Sequence, residues 1–220
     1  MSNVLHESNT PLTGVLSLCD VLYSYYDKLD GDTIKRSIKD IVNSGDRLKT
    51  YVNSIADLSK LSALDYELKK KQVNLSNLVR ERPVLYKKIF PDEVEKQEFN
   101  FEVEDDIIVN CDEYYITQAI DNLISNAAKY GDGNPVTIKL FRTDDDKVQF
   151  EIIDQGIGIP EDELISIFDK FTVSSKTRTP AGGRGIGLAL CEKIMKTHSG
   201  NIWAESDGNK GSIFRLLLPM

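Results

Sequence analysis

Apolar residues recur at alternating steps of three and four along the first sixty residues, the spacing of one face of an α-helix. One run covers residues 5–26 and a second covers residues 34–55. Residues 28–33 between them contain Asp30-Gly31-Asp32, a composition typical of a turn, and we expect Asp32 or Thr33 to cap the second helix. The pattern predicts two long helices joined by a short loop, an antiparallel hairpin.

The apolar positions of both helices follow the heptad spacing of helices that pack along a seam. One hairpin has too little apolar surface to complete a core, so we expect two copies to form a four-helix bundle through residues 1–66. The alternative is that both helices pack against the rest of the same chain. The seam of the first helix consists of Leu5, Ser8, Leu12, Val15, Cys19, Leu22 and Tyr26.

The periodicity changes after the basic run Lys69-Lys70-Lys71. Alternating or continuous apolar runs there predict strands at 72–75, 98–103, 107–110, 136–141, 148–153, 201–205 and 212–218. Helical patterns cover 112–129 and 188–197. We therefore expect an α+β chain in which the hairpin, residues 1–66, precedes an α/β sandwich domain, residues 67–220.

Composition and net charge narrow the classes of function that we expect for the chain. The 220 residues are 40% hydrophobic and 28% charged, as in an ordinary globular protein. A net charge of −8 disfavours nucleic acid and anionic membranes as partners. No run is apolar enough to span a membrane and residues 1–5 do not resemble a secretory signal, so we expect a cytoplasmic location. The widely spaced Cys19, Cys111 and Cys191 are expected to be core thiols.

His6 is one of only two histidines, and helical spacing places it on a polar flank beside the apolar seam. Glu7 can orient one ring nitrogen or accept its proton, which leaves the other nitrogen as a nucleophile near neutral pH. Taken alone, an exposed histidine followed by glutamate is usually without function. The other histidine, His198, comes late in a predicted helix, where a terminal cation or a cap is expected.

A second group of polar residues lies on the predicted helix 112–129. Asn122 and Asn126 are one turn apart, and Lys129 and Tyr130 continue the same side. Amide oxygens can hold Mg²⁺ while phosphate oxygens and water complete its coordination, and Lys129 adds a charge suited to phosphate. Each asparagine taken singly also fits an ordinary solvated surface position.

Two glycine-rich segments follow. Asp154 ends an apolar strand, where its carboxylate can accept a hydrogen bond from an amine such as that of adenine, and Gly156 and Gly158 let backbone approach a ligand. The second segment, residues 182–188, opens a predicted helix whose free amides suit phosphate. Either segment can also be a simple turn.

A small, polar stretch connects the two glycine-rich segments and has the composition of a mobile lid. Phe168 and Phe171 precede it and can anchor it to the core, while Lys176 and Arg178 lie within it. The alternative is an ordinary flexible loop.

In this order and at these intervals, the elements resemble the sensor histidine kinases of two-component signalling. His6-Glu7-Ser8-Asn9-Thr10-Pro11-Leu12 is similar to the phosphoacceptor box, and residues 122–127 are similar to the asparagine box. The two glycine segments with Phe168 and Phe171 resemble the remaining boxes of the ATP site, and residues 200–214 resemble the terminal hairpin. The resemblance covers essentially the whole chain.

The resemblance implies an ATP-binding domain of the gyrase and histidine-kinase type that phosphorylates His6 in a dimeric helical domain. Phosphate would then pass to an aspartate in the receiver domain of a response regulator. Thr10 takes the place where the family often positions a water that dephosphorylates the regulator. The nucleotide site implied by the family, with ATP and Mg²⁺ as cofactors, comprises Asn122, Asn126, Lys129, Tyr130, Asp154, Gly156, Gly158, Phe171, Lys176, Arg178, Gly183, Arg184, Gly185, Gly187 and Leu188.

Within that set, the resemblance implies that Asn122 and Asn126 hold the metal and that Tyr130 stacks near the base. Gly183, Gly185 and Gly187 would form the lid hinge and the phosphate-binding backbone, and Arg184 would add phosphate contacts. Because only five residues precede His6, the chain resembles the cytoplasmic part of a longer sensor. The alternatives are another ATPase of the same superfamily and a dimeric adaptor that binds ATP without transferring phosphate.

Overall fold

The computed structural model describes residues 2–63, 66–90, 97–177 and 185–220, with the side chains of residues 2–11 and Arg47 outside the described set. The chain divides into two compact units, Met1–Ser59 and Lys60–Met220. Among the described residues, no helix is both long and apolar enough to cross a membrane.

The first unit is the predicted hairpin, which is confirmed. Helix α1 (Ser2–Tyr25) is followed by a 3₁₀ turn (Tyr26–Lys28) and by α2 (Gly31–Ser62), whose last residues belong to the second unit. The predicted cap of α2, Asp32 or Thr33, lies two or three positions after the observed one. Asp30 caps the helix: its carboxylate accepts the Thr33 N–H at 2.7 Å and the Thr33 hydroxyl at 2.8 Å.

Apolar side chains in the hairpin remain accessible. None of the described side chains between residues 12 and 50 is buried, and Leu16 and Val42 are 56% and 55% exposed. Burying a leucine or valine side chain stabilises a protein by about 1.5–3 kcal/mol. The exposure is therefore consistent with the predicted bundle of two hairpins, which stays a prediction.

The described residues of the second unit form seven strands and three further helices. The helices are α3 (Leu75–Ile89), α4 (Glu113–Tyr130) and α5 (Gly187–Thr197). Short 3₁₀ turns occupy Glu161–Glu163, Ser166–Phe168 and Ser175–Thr177. The strands are β1 (Lys71–Asn74), β2 (Phe99–Val103), β3 (Ile108–Cys111), β4 (Val136–Arg142), β5 (Lys147–Asp154), β6 (Asn201–Glu205) and β7 (Ser212–Pro219).

These strands form two sheets. Strands β1 and β3 pair antiparallel, and the larger sheet has the order β2-β4-β5-β7-β6. Only β2 and β4 are parallel; the other neighbours in the larger sheet are antiparallel. The predicted mixed α/β sandwich is confirmed. Strand β7, late in the sequence, lies between β5 and the edge strand β6, so it joins β6 to the rest of the sheet.

The core lies between one face of this sheet and the helices. Alternate residues of each central strand point inward, as a period of two requires, and α4 and α5 cover them with apolar residues. The fully buried side chains include Ile116, Ile120, Leu123, Ile138, Leu140, Ile152, Leu190, Ile194 and Leu216. This rigid layer fixes α4 and α5 at the edge of a pocket.

Helix α3 was not predicted. It buries Leu75, Val79, Pro83 and Tyr86 along one face, and Asn74 caps it by accepting the Asn77 N–H at 3.0 Å. A proline inside a helix normally argues against helix because it lacks a backbone donor. Here Pro83 is buried on the packed face, which offsets that cost.

Candidate functional site

A pocket of about 780 Å³, including its open mouth, lies in the second unit between α4, α5 and the loop after β5. Strand ends and helix ends meet there, the usual place for ligand sites in such sheets. Seven residues predicted for the nucleotide site line it: Asn126, Tyr130, Asp154, Gly158, Gly185, Gly187 and Leu188. The remaining lining residues are Ile157, Ile159, Ile167, Thr172, Val173, Ser174, Thr177, Ser212 and Phe214.

Asp154 provides the buried charge of the pocket. It ends β5 and is only 7% exposed. One carboxylate oxygen accepts the Gly156 N–H at 2.9 Å, and the other accepts the Ser212 hydroxyl at 2.5 Å. Because an ionised carboxylate has about four lone-pair positions, these bonds orient Asp154 and leave room for a donor on a ligand.

Gly156 is required by close packing. A Cβ at this position would lie 1.7 Å from the carbonyl oxygen of Tyr130, so no side chain fits. The loop can therefore lie directly on the end of α4, where the Ile157 N–H donates to the Tyr130 carbonyl at 3.2 Å. Gly156 supports the pocket without lining it, whereas Gly158 lines it.

Helix α4 presents Asn126 and Tyr130 to the pocket one turn apart. Asn122, one turn earlier, lies between α4 and α5: its Oδ1 is 3.0 Å from the position that a Cβ on Gly187 would take. Asn122 also hydrogen-bonds the Cys191 thiol; burial raises the pKa of that thiol, and this hydrogen bond offsets only part of the rise. Lys129 is exposed and is not among the residues that line the pocket.

The asparagines supply neutral oxygen ligands only. Among the described residues no cluster of three or more His, Cys, Asp or Glu side chains offers a metal site. Carboxamide oxygens on two successive turns fit a hard cation that takes its other ligands from phosphate and water. The donor set thus fits Mg²⁺ bound together with a nucleotide.

The start of α5 is shaped by Gly185. It has φ of +64°, and a Cβ there would lie 2.5 Å from the Thr172 nitrogen. Its carbonyl accepts the N–H of Phe171, a half-buried residue that does not line the pocket. Gly187 and Leu188 then begin the helix at the pocket wall. Arg178, Gly183 and Arg184 lie outside the described residues.

Lys176 contacts backbone rather than facing the pocket. Its ammonium donates to the Ile157 carbonyl at 2.9 Å and to the Gly208 carbonyl. Lys176 was predicted to bind nucleotide, and in the structure it joins the segment after Phe171 to two neighbouring loops.

The predicted catalytic residues His6, Glu7 and Thr10 lie in α1, and their side chains are outside the described set. The backbone assignment agrees with the predicted helix. Their roles stay predictions.

His198 is a neutral internal residue, so the expectation of a terminal cation was wrong, although it does cap α5. It is 2% exposed; its Nδ1 donates to the Ile194 carbonyl at 2.9 Å, and its Nε2 accepts the Asp112 N–H at 3.0 Å. These partners define the neutral tautomer. Desolvation lowers the pKa of His198, which keeps the ring uncharged.

The cysteine expectation holds for two of three residues. Cys111 and Cys191 are buried, and burial raises their pKa values to about 11 and about 12. Cys19 is exposed, so it was wrongly predicted to be a core thiol. Cys19 lies on the predicted seam of α1, and a single hairpin has too little apolar surface of its own to bury that position.

Sequence reasoning missed Ser212, which lies 58 residues after Asp154. The two are cross-strand partners in the β5–β7 register. A signal existed, because Ser212 begins the predicted last strand, but the pairing of β5 with β7 was not predicted. The 3₁₀ turn that carries Glu163 was not predicted, because three residues are too few to show a period.

Two family matches divide the chain as the fold does. The family described as His Kinase A (phospho-acceptor) domain matches residues 1–64. The family described as histidine kinase-, DNA gyrase B-, and HSP90-like ATPase matches residues 111–220. The second match contains every described pocket residue.

Individual relatives agree. The sensor histidine kinase WalK of Bacillus subtilis is 32% identical over 225 residues, covering all of this chain and 36% of WalK. Full-length ShkA in complex with AMPPNP is 27% identical with a TM-score of 0.70, covering 97% of this chain and 44% of ShkA. Histidine kinase ThkA in complex with response regulator TrrA is 28% identical with a TM-score of 0.74, covering 99% of this chain and 60% of that one.

The chain spans about a quarter to about a third of the length of the curated relatives it matches. It matches the phospho-acceptor family in the hairpin and the ATPase family in the unit that follows. The order of the two family matches is the order of the two units in the fold. The chain belongs to the sensor histidine kinases of two-component signalling.

Proposed function

We propose that the chain is the core of a sensor histidine kinase that phosphorylates itself on His6 with ATP and passes the phosphoryl group to an aspartate of a response regulator. The observation that carries the proposal is Asp154, a buried carboxylate held at the floor of an open pocket in an ATPase-type fold. The match of residues 1–64 to the phospho-acceptor family supports His6 as the receiving group.

Asp154 would bind the adenine end of the nucleotide. The Ser212 hydroxyl and Gly156 N–H hold its two oxygens, so the carboxylate is oriented before a ligand arrives. The exocyclic amine of adenine can donate a hydrogen bond to one of the remaining lone pairs. Apolar walls at Ile157, Ile159 and Phe214 would cover the faces of the base.

Asn122 and Asn126 would hold the metal beside the phosphates. Mg²⁺ would supply charge neutralisation at the transferring phosphoryl group, which is its usual part in this chemistry. The backbone around Gly185 and Gly187, at the start of α5, would bind phosphate oxygens because the first amides of a helix have no helical partner. As the family resemblance implies, Gly183, Gly185 and Gly187 would also form the lid hinge.

His6 would act as the nucleophile. One imidazole nitrogen forms the bond to the γ-phosphorus as the bond from that phosphorus to the bridging oxygen breaks, and ADP leaves. Glu7 takes up the imidazole proton, so charge and protons balance. Thr10, one turn further along α1, would orient the water that dephosphorylates the regulator.

Two copies would join through the hairpin. The exposed apolar side chains of α1 and α2 support this, since a second hairpin would bury them. ThkA, whose structure matches 99% of this chain, is seen with a response regulator, which supports a receiver domain as the second partner.

The test is incubation of the full chain with γ-labelled ATP and Mg²⁺. Label that is lost in acid and kept in base identifies phosphohistidine and supports the kinase. Nucleotide binding without label would indicate the adaptor, and release of phosphate without protein label would indicate another ATPase. Thiol crosslinking at exposed Cys19, a predicted seam residue, tests the dimer in the same preparation.

A further inference from the structure

One wall of the pocket is a short segment, Thr172 to Thr177, that follows Phe171. Thr172, Val173, Ser174 and Thr177 all line the cavity. Part of the segment is a single 3₁₀ turn, Ser175–Thr177, which by itself has little hydrogen bonding to hold it in place. Its position therefore depends on the side chains that contact it.

Glu163 holds the segment from one side. Its carboxylate accepts the Ser174 hydroxyl at 2.5 Å and the Ser175 N–H at 3.1 Å. The backbone of Glu163 is itself fixed, because its N–H donates to the Pro160 carbonyl at 2.9 Å and its carbonyl accepts the Ser166 hydroxyl at 3.2 Å. An ionised acceptor makes these bonds stronger than neutral ones.

Lys176 holds the segment from the other side. Its ammonium donates to the carbonyls of Ile157 and Gly208, on the loop after β5 and on the turn between β6 and β7. Ile157 lines the pocket and is bound through its own N–H to the end of α4. The lysine thus connects the segment to the part of the pocket that carries Asp154.

We propose that Glu163 and Lys176 are positioning residues for the nucleotide, two charged anchors that fix the Thr172 to Thr177 wall against the adenine end of the pocket. The proposal rests on the proposed function for the identity of the ligand. Neither side chain needs to touch the nucleotide, since each acts through the backbone it holds. Loss of either anchor frees the wall, which weakens binding of the whole ligand by a constant factor.

A direct phosphate contact by Lys176 makes a different prediction. A lysine bound to phosphate contributes more as the number of phosphate charges increases. An anchor that shapes the adenine end contributes equally to adenosine, ADP and ATP. Comparing the three ligands therefore separates the two roles.

The experiment measures the affinities of adenosine, ADP and ATP for the full chain by competition with a fluorescent ADP. We expect Lys176→Met and Glu163→Ala each to weaken all three ligands by the same factor, about fivefold or more. Ser174→Ala combined with Glu163→Ala should weaken binding less than the product of the single effects, because the two side chains share a hydrogen bond. In turnover, KM for ATP should rise while kcat is kept.

Lys170→Met and Asp162→Asn are matched controls, since both are exposed charged residues of the same region, and they should stay within twofold of the parent. A loss that grows from adenosine to ATP would overturn the proposal in favour of a phosphate contact. Unchanged affinity, or a loss of affinity explained by global unfolding of the nucleotide-free variants, would overturn it as well. A parent chain that binds ADP but never labels His6 would contradict the kinase, and the affinity ratios would still decide the anchors.

Discussion

The two units differ in how much of their apolar surface is buried within one chain. In the second unit Leu123, Ile138 and Leu140 are fully buried within one chain. In the hairpin, none of the described side chains between residues 12 and 50 is buried, and Leu16 remains exposed. A sheet covered by helices completes its own core, whereas a pair of helices leaves apolar surface for another molecule. The comparison teaches that the pocket belongs to a unit whose core is complete within one chain, whereas the hairpin leaves apolar surface that a second copy could cover.

The largest expected effect separates chemistry from nucleotide binding. His6→Ala removes the nucleophile from the hairpin, so phosphate incorporation should be abolished. Affinity for ATP should stay within a few-fold of the parent, because the pocket belongs to the second unit. Labelling and fluorescence titration of one preparation measure both. Loss of nucleotide binding in this variant would contradict the assignment of the nucleophile to the hairpin and of nucleotide binding to the second unit.

The second prediction compares a buried leucine of the second unit with an exposed leucine of the hairpin. Leu123→Ala leaves a cavity in a closed core and should lower the free energy of unfolding by about 2–5 kcal/mol. Leu16→Ala, at low protein concentration, should lower it by less than about 0.5 kcal/mol. Urea unfolding measures both changes. The same Leu16 variant should weaken dimerisation in sedimentation equilibrium, and equal effects of the two variants on unfolding would contradict the comparison.

The third prediction concerns the pocket alone. Asn126→Ala removes a neutral oxygen from the metal site and should weaken binding of Mg²⁺-ATP by about 1–3 kcal/mol. Titration calorimetry with and without Mg²⁺ gives the difference. Asn100→Ala, an exposed asparagine on the edge strand β2, is the control and should bind normally. Equal affinity of Asn126→Ala and parent would contradict the metal role.

The fourth prediction divides two activities within the hairpin. Thr10→Ala should leave labelling of His6 nearly intact and slow regulator dephosphorylation at least about tenfold, or about 1.4 kcal/mol of barrier. The two rates are measured with the same receiver domain. If both rates fall together, Thr10 acts in docking or helix structure.

The smallest expected effect is a pH dependence confined to the second unit. Because the pKa of His198 is lowered by folding, the unfolded chain takes up a proton first as pH falls. The stabilisation is fully present above the ordinary value of 6.5 and is lost as pH falls below it toward the folded-state pKa. Protonation removes the acceptor of the Asp112 N–H, a loss of about 1 kcal/mol or about 2–4 °C in unfolding temperature.

His198→Gln is the matched variant for that measurement, since an amide oxygen can accept the Asp112 N–H without titrating near neutral pH. Its unfolding temperature should depend less on pH between 7 and 5 than that of the parent. A parallel dependence in both proteins would assign the effect to other groups.

How much of the structure the sequence predicts depends on how many consecutive residues repeat a helical or strand pattern. Helix α2 and strand β6 were predicted because each repeats its own apolar period. Helix α3 was not predicted, although Leu75, Val79 and Tyr86 recur at helical spacing. Pro83 lies within this stretch, and only the tertiary packing shows that it is compatible with the helix.

In the candidate site, too, the sequence predicted only those residues that stand in short local motifs. Asp154 and Asn126 were predicted because they stand in short segments with a recognisable order. The anchor formed by Glu163 and Lys176 has no such order, because its partners are a serine hydroxyl and main-chain groups of loops elsewhere in the sequence. Every residue has a main-chain carbonyl, so no pattern of residue types predicts which carbonyl accepts a hydrogen bond.

The position of β7 has a consequence for biosynthesis. Because this strand lies between β5 and β6, the edge of β5 stays open during translation until residues 212–219 emerge from the ribosome. Ser212 arrives with the same strand, so the carboxylate of Asp154 lacks its orienting hydroxyl until then. The pocket is therefore completed only when the last strand of the sheet has paired, so its orienting contacts form late in folding.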